Sequence, residues 1–261
     1  MLPNQITLLG GGSSIRYLGA IDNGLFTFLQ DKFTIGINYS YKFVNTTCNL
    51  GIDETLYNDP IHHEEIKNLP LWIGKEHKSL KQRETNSIFL KPSKKYDRDL
   101  KEGVYRASLS GIFALSLVIK LLNASVEGIK NQPEIYLLGY DYSPYIKDGK
   151  VLLDSQGKPI SHWYQEEFRH RGTGKVSWYN QTGEDKINTK RAPYADLEFR
   201  PFKDESKVKI YNVGGTSRIP HFEHISYDRF FRQLFNKIDS QDKVRKELKE
   251  LLWQIKQENN I

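Results

Sequence analysis

Ile6-Thr7-Leu8-Leu9-Gly10-Gly11-Gly12-Ser13-Ser14 is an apolar run that stops abruptly at small and polar residues. A short run of this kind reads as a buried strand. The glycines read as a tight turn, and the chain through Phe28 and Leu29 can continue as helix. A turn of glycines lets a ligand approach the backbone, because no Cβ stands in the way. Serine hydroxyls and the first N–H groups of a helix then favour an anion. Residues Gly10, Gly11, Gly12, Ser13 and Ser14 are therefore a candidate nucleotide or phosphate site. The plainer use of the same residues is a tight strand-to-helix connection. The turn is neither the dinucleotide fingerprint nor a P-loop, because the later Gly, or Gly-Lys-Ser/Thr, is missing.

The pattern recurs downstream. Phe33-Thr34-Ile35-Gly36-Ile37 reads as a strand ending at Asn38, and Cys48-Asn49-Leu50-Gly51-Ile52 as one ending at Asp53. Leu71–Ile73 and Ser87–Leu90 are shorter candidates. Ser110-Gly111 opens the best helix, running to about Gly128, with Ser110 as its N-cap. Ser116, Lys120 and Asn123 share one of its faces, and the rest reads as buried. Glu134–Gly139 is the next strand and ends in Tyr140-Asp141-Tyr142. Lys207–Val213 is another. Strands alternating with helices predict an α/β fold: a Rossmann-like, mostly parallel sheet with helices on both faces. In such sheets ligands bind outside the carboxyl ends of the strands, so Gly10, Asn38 and Asp53 are expected to share one edge.

From Ser143 to about Lys203 no period is sustained, yet the stretch is rich in Trp and Tyr. It reads as a lid inserted into a single α/β domain made of residues 1–142 and 204–239. Residues 240–261 read as an amphipathic helix whose apolar side packs on the domain or, in a homo-oligomer, on another subunit. Asp97-Arg98-Asp99 has the spacing of a metal-binding Asp-x-Asp. It follows no strand and lies among lysines, so it reads as a solvated charged loop and no metal site is assigned.

The totals narrow the classes. The chain has 261 residues, one cysteine, 15 Tyr, 13 Phe and 4 Trp, which excludes disorder, a disulfide framework and a cysteine zinc cluster. The lone Cys48 suits a reducing, cytoplasmic compartment. No apolar run has the length of a membrane span, and no secretory leader is evident. The net charge of +6 is spread along the chain, which favours an anionic small molecule over a polyanion.

Several loose motifs stand in order: Leu-Gly-Gly-Gly-Ser-Ser, Gly-Ile-Asn-Tyr ending at Tyr39, Leu-Ser-Gly-Ile-Phe at 109–113, Ile-Tyr-Leu-Leu-Gly-Tyr-Asp-Tyr at 135–142, a lid carrying histidines, and Ile-Tyr-Asn-Val-Gly-Gly-Thr-Ser-Arg at 210–218. This order resembles the bacterial sialyltransferases of the Campylobacter type. It also resembles the related group of motility-accessory-factor glycosyltransferases and archaeal hydroxymethylpterin pyrophosphokinase. The resemblance spans residues 5 to about 220. It implies a glycosyltransferase using a nucleotide-sugar donor, with a CMP-sugar favoured, and needing no cofactor. The acceptor would be the hydroxyl of a glycan, a protein or modified DNA. By the same resemblance Gly10–Ser14, Asn38, Ser110, Gly111 and Asp141 contact the donor nucleotide, with Asp53 at the same edge. Tyr142 or Tyr145 holds the leaving phosphate, and His170 or His162 is the general base. This chain has Gly-Ser-Ser where the family's turn continues Gly-Pro-Ser. The alternatives are a Mg²⁺-dependent ATP diphosphotransferase, with Asp53 and Asp141 at strand ends available to the metal, and a non-catalytic nucleotide- or nucleic-acid-binding module.

Overall fold

The computed structural model describes residues 2–77, 86–105, 109–125, 132–165, 194–214 and 217–259. In chain order its strands are β1 (Gln5–Leu9), β2 (Thr34–Ile37), β3 (Cys48–Gly51), β4 (Trp72–Lys75), β5 (Ser87–Leu90), β6 (Pro92–Ser93), β7 (Val104–Tyr105), β8 (Glu134–Leu138), β9 (Ile146–Lys147), β10 (Lys150–Val151), β11 (Lys209–Val213) and β12 (Glu223–Ile225). The helices are α1 (Ser14–Tyr17), α2 (Leu25–Phe28), α3 (Glu54–Asn58), α4 (Pro60–Ile66), α5 (Ser110–Ser125), α6 (Tyr194–Phe199), α7 (Tyr227–Gln233) and α8 (Gln241–Glu258).

Eight strands form one sheet in the order β12-β11-β8-β1-β2-β3-β4-β5, and every pairing in it is parallel. The α/β Rossmann-like expectation therefore holds. The strands are continuous apolar runs because both faces of the sheet are covered. Alternate residues divide between two cores. Ile6, Leu8, Ile35, Ile135 and Leu137 face the side packed by α5 and α8, whereas Leu9, Tyr136 and Leu138 face the side packed by residues from α2 and α7. Trp72 and Phe89 form a third cluster with Leu56 and Tyr57 of α3 and Ile66 of α4.

Two elements, β12 and α5, depart from the expectations. β12 is a short edge strand whose Glu223 and His224 are exposed, so it carries no hydrophobic pattern. Ser116 of α5 is 1% exposed and accepts the Tyr105 N–H at 3.3 Å, so the polar stripe of that helix is partly covered by β7. Asp97 turns inward: its carboxylate accepts the N–H groups of Asp99 and Lys101, each at 3.0 Å, while Arg98 pairs with Glu205 at 3.0 Å. The Asp-x-Asp is the hinge of a charged turn. Val244, Leu248, Leu252 and Ile255 of α8 lie in the chain's own main core, so that apolar face is not offered to another subunit.

Candidate functional site at the carboxyl edge of the sheet

The chain runs outward from β1 through β2 to β5, then returns to place β8 on the other side of β1. The junction of β1 and β8 is therefore the topological switch point, where an open α/β sheet leaves a crevice beyond the carboxyl ends. Gly10 follows β1, Asn38 follows β2, Asp53 lies beyond β3, His77 beyond β4 and Asp141 beyond β8. The amino end of α5 arrives at the same edge.

The glycine turn is closed by the protein itself. Gly10 N–H donates to the Leu138 carbonyl at 2.8 Å, and Gly12 N–H to the Gly139 carbonyl at 2.7 Å. The Asp141 carboxylate accepts the Ser14 N–H at 2.7 Å and the Ser14 hydroxyl at 2.6 Å. The anion at the start of α1 is thus Asp141, which is 3% exposed. Burial pushes its carboxyl above the usual carboxylate range, against the opposing hydrogen bonds from Ser14 and Ser13. A Cβ on Gly12 would sit 2.6 Å from the Asp141 carboxyl carbon. The backbone donors of Gly10, Gly12 and Ser14 are spent on this internal lock.

The insertion supplies the next layer. His162 pairs with Gly12 in an isolated antiparallel bridge. Trp163 N–H donates to the Gly11 carbonyl and its indole Nε1–H to the Gly10 carbonyl, both at 3.0 Å. The Trp163 ring is 1% exposed and packs with Phe26 and Phe43, at centroid distances of 5.3 and 4.8 Å. A Cβ on Gly11 would lie 2.7 Å from both His162 Cδ2 and the Tyr164 hydroxyl. Residues 161–165 therefore form a strap packed onto the turn. His162 stays half-buried there, with Nδ1 3.0 Å from Ser161 Oγ. Tyr145 turns away to stack on Tyr17 at 4.7 Å and donates to the Tyr17 carbonyl at 3.2 Å, so only Tyr142 of the two tyrosines stands at the crevice. His170 lies outside the described residues.

The rest of the crevice converges on α5. Ser110 is the first helical residue, and its hydroxyl donates to Asn38 Oδ1 at 2.9 Å rather than capping the helix. The same oxygen accepts the Ile52 N–H at 3.4 Å, so Ser110 ties the ends of β2 and β3 to α5. Tyr140 donates to the Gly111 carbonyl at 3.2 Å. A Cβ on Gly111 would lie 2.8 Å from Tyr140 Cε1 and 2.9 Å from the Tyr142 hydroxyl, so the Tyr142 hydroxyl lies against the first turn of the helix. Asn38 and Tyr142 have φ of +53° and +49°. For a bulky residue such as Tyr142 that backbone is costly, and such residues gather at working sites.

Asp53 is open to solvent, yet enough protein surrounds it that desolvation raises its carboxyl, with the charges of Lys75 and His77 pulling the other way. His77 Nε2–H donates to the Ile52 carbonyl at 3.0 Å, and its Nδ1 stands 3.5 Å from Glu54. Across from it, burial raises the Tyr164 phenol, with Tyr39 and Asp53 adding to the effect. His77 and Tyr164 are crevice residues that the motifs do not mark. His77 stands two residues beyond β4, as Asp53 does beyond β3, but four residues beyond the apolar run Leu71–Ile73, so the run by itself does not point to it. Among the described residues no cluster of three His, Cys, Asp or Glu side chains is placed to hold a metal.

Compared with protein-family models, curated proteins and solved structures, the chain matches none of them.

Proposed function

We propose that the crevice binds a nucleotide-sugar and that the chain is a glycosyltransferase, with a CMP-sugar as the favoured donor. The observation that carries this reading is the convergence on one helix start. Ser110 and Gly111 open α5, Asn38 is bonded to Ser110, and the Tyr142 hydroxyl stands over Gly111. The first N–H groups of a helix have no partner within it and carry partial positive charge. Together with a phenol they form a donor set for the phosphate that departs with the nucleotide. In this reading the glycine turn acts as a wall, since most of its donors already serve Asp141 and the ends of β8.

The acceptor hydroxyl must lose a proton as it attacks. A histidine of the insertion takes it in this reading, a role worth about 10²–10⁴-fold in rate. His162 stands at the glycine turn, and His170 lies further along the same insertion.

The first test is a thermal-shift screen against CMP, UDP, GDP, ADP and ATP, each with EDTA and with Mg²⁺. A ligand at about 100 times its dissociation constant adds about 2.7 kcal/mol of stability. Stabilisation by CMP or another sugar-linked nucleotide in EDTA supports the reading. Stabilisation by ATP only with Mg²⁺ replaces it with diphosphate transfer. Once the donor is found, His162→Ala and His170→Ala separate the two bases. The variant that lacks the base loses transfer and keeps nucleotide binding. Normal turnover by both removes histidine from the mechanism.

A further inference from the structure

Asp53 is unlike the other polar residues of the crevice. Asn38 and Ser110 are bonded to each other, and Asp141 is consumed by Ser14. Asp53 stands open to solvent, and the influences on its carboxyl are burial and the distant charges of Lys75 and His77, with no hydrogen bond among them. Its backbone carbonyl, not its side chain, takes the Leu56 N–H at the start of α3, at 3.1 Å. Helix capping therefore does not occupy the carboxylate.

Its place is defined from two sides. The preceding residue, Ile52, donates to Ser110 Oγ at 3.4 Å, which puts Asp53 one residue from the start of α5. On the other side its charge reaches the phenol of Tyr164 in the strap. One residue of chain spans about 3.8 Å, roughly the step from a nucleotide's phosphate to its sugar ring. An ionised carboxylate only accepts hydrogen bonds and repels phosphate, so its ligand must bring donors and no negative charge at that point. Two adjacent hydroxyls satisfy both conditions.

We propose that Asp53 accepts the hydrogens of the ribose 2′- and 3′-hydroxyls of the bound nucleotide and makes the crevice selective for ribonucleotides over 2′-deoxyribonucleotides. The proposal rests on the nucleotide reading above. The charges of Lys75 and His77 favour the ionised carboxylate, against the burial that raises it. Glu54, the adjacent carboxylate, is engaged with His77.

The experiment is calorimetric titration of the wild-type chain with CMP, UMP, GMP and AMP, each beside its 2′-deoxy counterpart, with and without Mg²⁺. A hydrogen bond to a charged group predicts that the ribonucleotide that binds does so at least about tenfold more tightly than its deoxy form. In Asp53→Ala that gap closes because the ribonucleotide loses two hydrogen bonds, whereas the deoxy form, which brings only its 3′-hydroxyl, loses one and weakens less. Asp53→Asn, which keeps one acceptor oxygen, narrows the gap without closing it. Circular dichroism and the melting temperature confirm that the variants are folded, as expected for an exposed side chain. Equal affinity of the wild type for a ribonucleotide and its deoxy partner overturns the proposal and leaves the nucleotide reading standing. Equal weakening of both forms in Asp53→Ala, or a loss seen only with Mg²⁺, also overturns it. Absence of binding by every nucleotide overturns both.

Discussion

Asp141 shows how one residue decides what a motif is for. It is buried and held by neutral donors from Ser14 and Ser13. Asp141→Ala leaves the buried Ser14 N–H without its acceptor, at about 1–3 kcal/mol, while the Ser14 hydroxyl keeps the Tyr227 hydroxyl at 3.3 Å as a partner. Asp141→Asn keeps an acceptor and costs less. Because the native carboxyl sits above its unfolded value, the folded state takes up its proton first as the pH falls. The stability of the wild type relative to Asp141→Asn is therefore lowest at neutral pH and rises on acidification through the native value. Urea denaturation of the two proteins across that range reads this difference directly, and a difference that is flat or falls on acidification contradicts it.

At the scale of elements, α8 and the strap both bury large side chains. Leu248 of α8 is fully buried in the main core, so Leu248→Ala is expected to cost about 2–5 kcal/mol. Because that face is internal, the variant keeps the oligomeric state of the wild type, measured by sedimentation. The residue pattern of α8 is legible in the chain, since Val244, Leu248, Leu252 and Ile255 recur at helical spacing. The strap is not legible. The hairpin that precedes it in the insertion, β9 with β10, has two residues in each strand, too few for any period. Trp163 is placed by bonds to Gly10 and Gly11, 153 residues from Gly10 in sequence.

At the scale of the whole molecule, function is expected at the carboxyl edge of the sheet and nowhere near the amino edge. Ser110→Ala removes the link among Asn38, Ile52 and α5 and should weaken nucleotide binding by up to about tenfold. Lys209→Ala, an exposed position at the opposite end of β11, should leave binding unchanged. Titration of the same nucleotide into both proteins checks the pair. Equal effects would detach the ligand from the switch point. Among the described residues no helix is long and apolar enough to cross a membrane.

The chain by itself determined the class of fold. Parallel strands covered on both faces must be apolar throughout, so β1, β2, β3, β4, β5, β8 and β11 are visible as runs, and polar residues stand out where they end. It also marked Asn38, Asp53, Ser110, Gly111 and Tyr142, because strand ends and helix starts are local features. Only the tertiary structure decided the strand order, the switch point and the fate of the glycine turn. Pairing between strands is non-local, and the Asp141 that fills the turn lies 127 residues beyond Ser14. A short motif shows what the backbone can hold there. Which group arrives to be held depends on the remainder of the fold.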